Sequence, residues 1–163
     1  MRNLKVLLVG RGFERATTTL SHLAKRGCRY QCAGSLPEAD LLVREQTFDL
    51  VLNGIYVDRH TTCSLSESLR GAPTTLLYSY EVEDGFWWIL GLDRGRPCTG
   101  EAPAIAPSEF SRVLDLVLAE LAVGGTVLPR ILTRLCSGDR GFPGAGSSGG
   151  TPLHPVALRA TAS

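Results

Sequence analysis

Short apolar runs alternate with amphipathic stretches over the first 123 residues, and this alternation constrains the fold more than any other feature. The clearest run, residues 5–9 (KVLLV), ends at Gly10-Arg11-Gly12, and residues 48–53 and 73–78 contain similar runs. Apolar strands without polar alternation are typical of parallel sheets that are covered on both faces. The pattern therefore predicts an α/β fold built on a parallel sheet.

The stretches between these runs have the spacing of helices. Apolar residues recur at helical intervals over residues 16–24, and residues 110–121 give the cleanest amphipathic pattern of the chain. Ser35-Leu36-Pro37-Glu38 has the spacing of a capping box, which marks the start of another helix. With a short helix at residues 64–69 and a weak strand at 29–33, this order predicts a doubly wound sheet of five parallel strands, with helices on both faces.

The segment from Asp84 to Ile105 leaves two structures open, because Phe-Trp-Trp-Ile (residues 86–89) fits either one face of a helix or a strand. Neighbouring side chains differ in direction by about 100° in a helix and about 180° in a strand. Trp87 and Trp88 therefore cannot both face one core, and one of them is expected to be partly exposed. Beside the acidic run at residues 81–84, an exposed Trp is a candidate for an interface.

The composition changes towards the C-terminus and suggests three regions. Residues 1–123 form the predicted domain, and residues 124–136 form a linker in which residues 127–135 could add a short basic helix. Residues 137–163 are dominated by Gly, Pro, Ser and Ala. A segment of this composition cannot bury enough apolar surface to offset its ordering entropy, so we expect a disordered tail.

Charge and cysteine content exclude several classes of function. The 17 basic and 16 acidic residues give a net charge of +1, which offers no electrostatic footprint for nucleic acid. The five cysteines include no CxxC pair, so neither a disulfide framework nor a zinc knuckle is indicated. Neither a signal peptide nor a membrane-spanning run is visible, so we expect a cytoplasmic protein without a membrane partner.

The order of these elements resembles the receiver domain of bacterial two-component response regulators over residues 3–123. Residues 5–9, 48–52 and 73–77 are similar to the first, third and fourth strands of that family, and Ala102-Pro103 stands where the family has a Lys-Pro pair. The resemblance implies a flavodoxin-like fold and a role in signalling. It also implies a partner or dimer surface that maps onto residues 84–121.

The phosphorylation chemistry of that family is absent from the matching positions. The acidic pair, the phosphate-accepting Asp, the hydroxyl residue and the Lys correspond here to Gly10 and Arg11, Gly54, Tyr78 and Ala102. A guanidinium repels a divalent cation, and glycine cannot form an acyl phosphate. A register slip of one residue would exchange Tyr78 for Ser79 but would supply no carboxylate. The sequence therefore resembles a degenerate, pseudo-receiver domain.

These observations predict a phosphorylation-independent, receiver-like regulatory module that acts by protein–protein interaction rather than as an enzyme. Its partner is expected to be another protein or a second copy of the chain, bound through residues 84–121 with Trp87 or Trp88 at the centre. We expect no cofactor and no metal. His60 and Cys63 have the spacing of a ligand pair, but no third ligand is evident, so we interpret them as a loop His and a packed Cys.

The alternative is a small nucleotide- or anion-binding, Rossmann-like protein that uses the Gly10-Arg11-Gly12 turn. The dinucleotide fingerprint requires a third Gly at position 15, where this chain has Arg15. A tight turn between strand and helix accounts for the two glycines equally well.

Overall fold

Residues 2–55, 65–82, 85–98 and 104–138 are described by the structure, a computed structural model of the chain. They form an α/β fold with one mostly parallel sheet. The strands are β1 (Lys5–Val9), β2 (Arg29–Ala33), β3 (Leu50–Asn53), β4 (Thr75–Val82), β5 (Gly85–Asp93), β6 (Arg96–Pro97) and β7 (Ala104–Ile105). The helices are α1 (Thr17–Lys25), α2 (Leu36–Glu45), α3 (described over residues 65–69), α4 (Phe110–Ala122) and α5 (Leu128–Gly138), with 3₁₀ turns at Arg11–Arg15 and Pro107–Glu109.

The sheet has the strand order β2-β1-β3-β4-β5-β6, and β7 pairs with β5 beside β6. The pairs β1–β2, β1–β3 and β3–β4 are parallel, whereas β5 is antiparallel to β4, β6 and β7. The predicted α/β class and the parallel arrangement of the first four strands are therefore confirmed.

The second half of the sheet differs from the expected five parallel strands. Among the described residues the sheet has seven strands, and β4 continues directly into the antiparallel β5. Only residues 83 and 84 separate these two strands. A connection of this length can join only antiparallel neighbours, because a parallel pair needs a crossover of about a dozen residues. The Phe-Trp-Trp-Ile segment is thus a strand, which decides between the two structures left open by the sequence.

Helices cover both faces of the central strands. Val6, Leu7, Leu8 and Val9 are fully buried, as their continuous apolar run predicted. The crossovers from β1 to β2 and from β2 to β3 run in opposite directions, so right-handed connections place α1 and α2 on opposite faces. Helices α1, α4 and α5 pack in that order on one face. On the other face, the Ser68 hydroxyl of α3 donates to Asp40 of α2 at 2.6 Å.

Helix α5 is fixed to the sheet by the buried carboxylate of Asp93 at the end of β5. The Val127 N–H donates to its two oxygens at 3.0 and 3.1 Å, and the Leu128 N–H donates to Oδ2 at 2.9 Å. Ile131 of α5 is fully buried, and α5 packs against α4. The structure thus has a helix at Leu128–Gly138 that packs against α4, in the region where the sequence suggested a linker with a short basic helix at residues 127–135. The division at residue 123 and the disordered tail stay predictions, since residues 139–163 lie outside the described ranges.

We expect Asp93→Ala to lower the free energy of unfolding by about 1–3 kcal/mol, because it leaves two N–H groups at the start of α5 without their acceptor. Asp93→Asn keeps one acceptor oxygen and should lose less. Urea unfolding followed by circular dichroism measures both changes.

Arg130→Ala is the matched control, because Arg130 joins α5 to Glu120 of α4 by an ion pair of 2.7 Å on the exposed side. Loss of such a surface pair should lower the stability by less than about 1 kcal/mol. If Asp93→Ala is no more destabilising than this control, the carboxylate does not fix α5.

Candidate functional site

The carboxyl ends of parallel strands are the usual place for a site in an open α/β sheet. Ligands bind where the direction of the crossovers reverses, since the loops diverge there and leave a crevice. In this chain the reversal lies between β1 and β3, which Gly10 and Gly54 follow. The structure therefore places Gly10, Arg11 and Gly54, the positions that the resemblance matches to the acidic pair and the phosphate acceptor of a receiver, at the edge where a site is expected.

Gly10 and Gly54 bring their backbones into close contact at this edge. Gly10 has φ +120°, and a Cβ there would lie 3.6 Å from the Gly54 carbonyl carbon and 3.3 Å from Cγ1 of Ile55. The Gly54 N–H donates to the Val9 carbonyl oxygen at 2.8 Å, and the Gly10 N–H donates to the Ala33 carbonyl oxygen at the same distance. The two positions thus lie together, but the contact leaves little space between them.

The ring of Phe13 covers this contact. A Cβ at Gly54 would lie 3.0 Å from Cε2 of Phe13, and the Phe13 side chain is only 6% exposed. Its ring centroid lies 6.2 Å from that of Trp88, which stacks on Phe110 at 4.3 Å and 22°. Phe13, Trp88 and Phe110 form what we call the aromatic cluster. It joins the turn after β1, strand β5 and the first residue of α4.

The polar side chains at the ends of β1 and β3 are directed elsewhere. Asn53 is buried, and its Oδ1 accepts from the Ile55 N–H at 3.0 Å, which closes a local Asx turn. Arg11 is exposed, and its Nε would lie 4.0 Å from a Cβ built on Gly34. The Glu38 carboxylate also lies beside Gly34, because it accepts a hydrogen bond from the Gly34 N–H. The guanidinium therefore lies towards β2 and the start of α2.

Tyr78 and Ser79, the two candidates for the hydroxyl position, lie on opposite faces of β4. Tyr78 is opposite Asn53 in the β3–β4 ladder. Its ring fills the space beside Gly91, since a Cβ built on Gly91 would lie 2.8 Å from Cε1 of Tyr78. Ser79 is opposite Trp88 in the β4–β5 ladder and thus shares the face of the aromatic cluster. The Ser79 hydroxyl is buried and has no hydrogen-bond partner within the described ranges. Neither residue is directed at a phosphate-binding crevice.

Several expected site residues lie outside the described part of the chain. One of them is Ala102, which the resemblance matches to the receiver Lys and which comes between β6 and β7 in the sequence. The others are His60 and Cys63, which come between β3 and α3. Within the ranges that are described, no group of three or more His, Cys, Asp or Glu side chains could hold a metal ion. In the same ranges, every helix is too short or too polar to cross a membrane.

The two Trp side chains differ in exposure, as the alternation along a strand requires. Trp88 is 6% exposed and belongs to the aromatic cluster, whereas Trp87 lies on the opposite face of β5 and is partly exposed. Trp87 is paired with Tyr80 of β4, and the pairing of β5 with β7 begins at the next residue, Trp88. Of the two candidates for an interface, only Trp87 is available to a partner.

The Gly10-Arg11-Gly12 turn lacks the geometry of a dinucleotide-binding loop. In that motif the helix begins directly after the glycine turn, so that its N-terminal N–H groups meet the phosphates. Here a 3₁₀ turn (Arg11–Arg15) follows the strand, and α1 begins only at Thr17. Within that turn, Phe13 directs its ring onto Gly54 rather than leaving the space open.

No protein-family model matches this chain, and the searches of curated proteins and of solved structures found no significant match.

We expect Trp88→Ala to lower the free energy of unfolding by about 3–5 kcal/mol, because truncating a buried aromatic side chain leaves a cavity. Trp87→Ala removes a side chain that is partly exposed and should lose much less. Urea unfolding of both variants measures the difference. Equal losses would mean that the aromatic cluster does not stabilise the carboxyl edge of the sheet.

Proposed function

We propose that the chain is a phosphorylation-independent, receiver-like regulatory module that acts by binding another protein. The strand order β2-β1-β3-β4 supports this proposal, because it is the order with which a flavodoxin-like doubly wound sheet begins. In this view the first four strands are the receiver-like part of the sheet. The β4–β5 hairpin then replaces the remainder of the doubly wound arrangement.

The observation that carries the proposal is the closed carboxyl edge between β1 and β3. Phosphoryl transfer to a carboxylate requires an acceptor and a cation that neutralises the phosphate charge. Gly54 supplies no acceptor, and the Phe13 ring occupies the space beside it. Arg11 stands at the sequence position where a receiver has a carboxylate for the cation, and its guanidinium cannot serve as a cation ligand. Binding of a protein partner needs none of these groups.

Trp87 is the residue around which we place the partner surface, within residues 84–121. It is paired with Tyr80 of β4, and the next two residues of β5 also pair with β7, so its backbone is held before a partner arrives. Side chains of this type, partly exposed and rigidly supported, dominate the binding free energy of many interfaces. The acidic run of residues 81–84 precedes it in the sequence, so the proposed partner has an apolar pocket with basic residues at its rim.

We expect no phosphoryl adduct when the chain is incubated with acetyl phosphate and Mg²⁺, because the acceptor position has no carboxylate. Intact-mass spectrometry measures this directly. The matched variant Gly54→Asp restores a carboxylate but leaves Arg11 and Phe13 in place, so it should also stay unmodified. An adduct on the unaltered chain that hydroxylamine removes would contradict the proposal.

We expect Trp87→Ala to weaken binding of the protein partner by about 2 kcal/mol or more, roughly thirtyfold, while the melting temperature stays nearly unchanged. The partner is first captured on the immobilised chain and identified by mass spectrometry. The purified pair is then titrated by calorimetry.

Leu41→Ala is the control for this measurement, because Leu41 is 60% exposed but lies on α2, outside the proposed surface. It should leave the affinity unchanged. If Trp87→Ala and Leu41→Ala both bind as the unaltered chain does, residues 84–121 are not the partner surface.

A further inference from the structure

The Ser79 hydroxyl is the one buried side-chain oxygen or nitrogen within the described ranges that has no hydrogen-bond partner. Ser79 is 4% exposed, so bulk water does not solvate this group from outside. A buried hydroxyl that is left unpaired is unfavourable, and folded proteins keep few of them. Alanine at this position would avoid that cost. The hydroxyl therefore points to a ligand that pairs with it.

The neighbours of this hydroxyl lie on the same face of the sheet. Trp88 is opposite Ser79 in the β4–β5 ladder, where the Cβ atoms of opposite residues lie about 5 Å apart. On the other side, the register of the β3–β4 ladder, extended by one residue, brings Gly54 next to Ser79. The Phe13 ring lies over Gly54, and its centroid is 6.2 Å from that of Trp88. Ser79 thus lies in the row between Gly54 and Trp88, on the face that the two aromatic rings cover.

The Phe13 ring is carried by a short turn that has little other attachment to the core. Arg11 is exposed, and a Cβ built on Gly12 would have no atom within 4 Å. Among the side chains of the turn that the structure describes, Phe13 alone is buried. The turn is 3₁₀, whose hydrogen-bond geometry is poorer than that of an α-helix. Segments with few buried contacts open at low cost, so the ring can leave while the sheet stays intact.

We propose that Phe13 covers a binding site for a small, neutral aromatic molecule that carries one hydrogen-bonding group, such as a phenol. The ring of the ligand takes the place of the Phe13 ring over Gly54, where the missing side chain leaves room, and lies against the indole of Trp88. The polar group of the ligand pairs with the Ser79 hydroxyl, which both donates and accepts. The apolar walls that the structure describes here exclude a charged ligand.

The place of this site in the fold agrees with the proposal. It lies at the carboxyl edge where the direction of the crossovers reverses, which is where open α/β sheets bind their ligands. Trp87, the centre of the proposed partner surface, is on the opposite face of β5. The site therefore goes beyond the proposed function, and its tests need no protein partner.

Titration with 4-fluorophenol and with fluorobenzene, followed by ¹⁹F NMR of the ligand, tests the site. Both ligands have to displace the Phe13 ring, so the ratio of their affinities reports on the hydroxyl alone. We expect 4-fluorophenol to bind the unaltered chain, and we expect Ser79→Ala to lower its affinity relative to fluorobenzene by about fivefold or more. A change of this size corresponds to the loss of one hydrogen bond.

Ser79→Ala also tests the premise that the hydroxyl is unpaired in the free chain. Its removal should leave the melting temperature unchanged or raise it, whereas removal of a paired buried hydroxyl lowers it. Ser68→Ala is the matched control, because the Ser68 hydroxyl donates to Asp40 at 2.6 Å on the other face. This variant should leave the ratio of the two affinities unchanged and should not raise the melting temperature.

Phe13→Ala removes the cover and should bind both ligands about tenfold more tightly or better, since no ring has to be displaced and an apolar cavity of this kind accepts a benzene-sized molecule. The proposal is wrong if neither ligand binds the unaltered chain up to its solubility limit, or if Ser79→Ala leaves the ratio unchanged. It is also wrong if folded Phe13→Ala binds no more tightly than the unaltered chain. Should Phe13→Ala fail to fold, the titrations of the unaltered chain and of Ser79→Ala decide alone.

Discussion

The antiparallel pairing of β5 with β4 is the interaction on which the rest of the structure depends. This pairing places Trp88 opposite Ser79, from where its indole stacks on Phe110 and lies against Phe13. The same strand ends at Asp93, whose buried carboxylate holds the first turn of α5. Strand β5 therefore widens the sheet, supplies the side chain that completes the aromatic cluster and fixes the helix that packs beside α4.

The proposed function follows from what this arrangement does to the carboxyl edge of the sheet. The edge between β1 and β3 is where an open α/β sheet usually binds a charged ligand. Here glycines at positions 10 and 54 allow the backbones to approach, and Phe13 covers them with an apolar ring. Burying phosphate or a cation against these groups would be unfavourable, because the described groups that face this contact are apolar and do not compensate the lost hydration. Protein recognition through Trp87 on the other face needs no such compensation.

The sequence could predict those features that repeat with a regular period. The apolar runs of β1, β3 and β4 and the stripe of α4 were each identified, because continuous burial and helical spacing are visible locally. The hairpin remained open, since residues 86–89 suit two periodicities and only the pairing with β4 distinguishes them. Phe13 was missed because a single aromatic in a 3₁₀ turn has no period. Asp93 was missed because its acceptor role involves N–H groups 34 residues further along the chain.

The most direct test of the closed carboxyl edge is the fluorescence of Trp88 in a Trp87→Phe variant, in which it is the only remaining Trp. We expect emission typical of a buried indole and weak quenching by acrylamide, because Phe13 and Phe110 enclose the ring. The emission should not change when Mg²⁺, acetyl phosphate or ATP is added. Strong quenching, or a spectral change with any of these ligands, would contradict a carboxyl edge closed by the chain's own aromatic side chains.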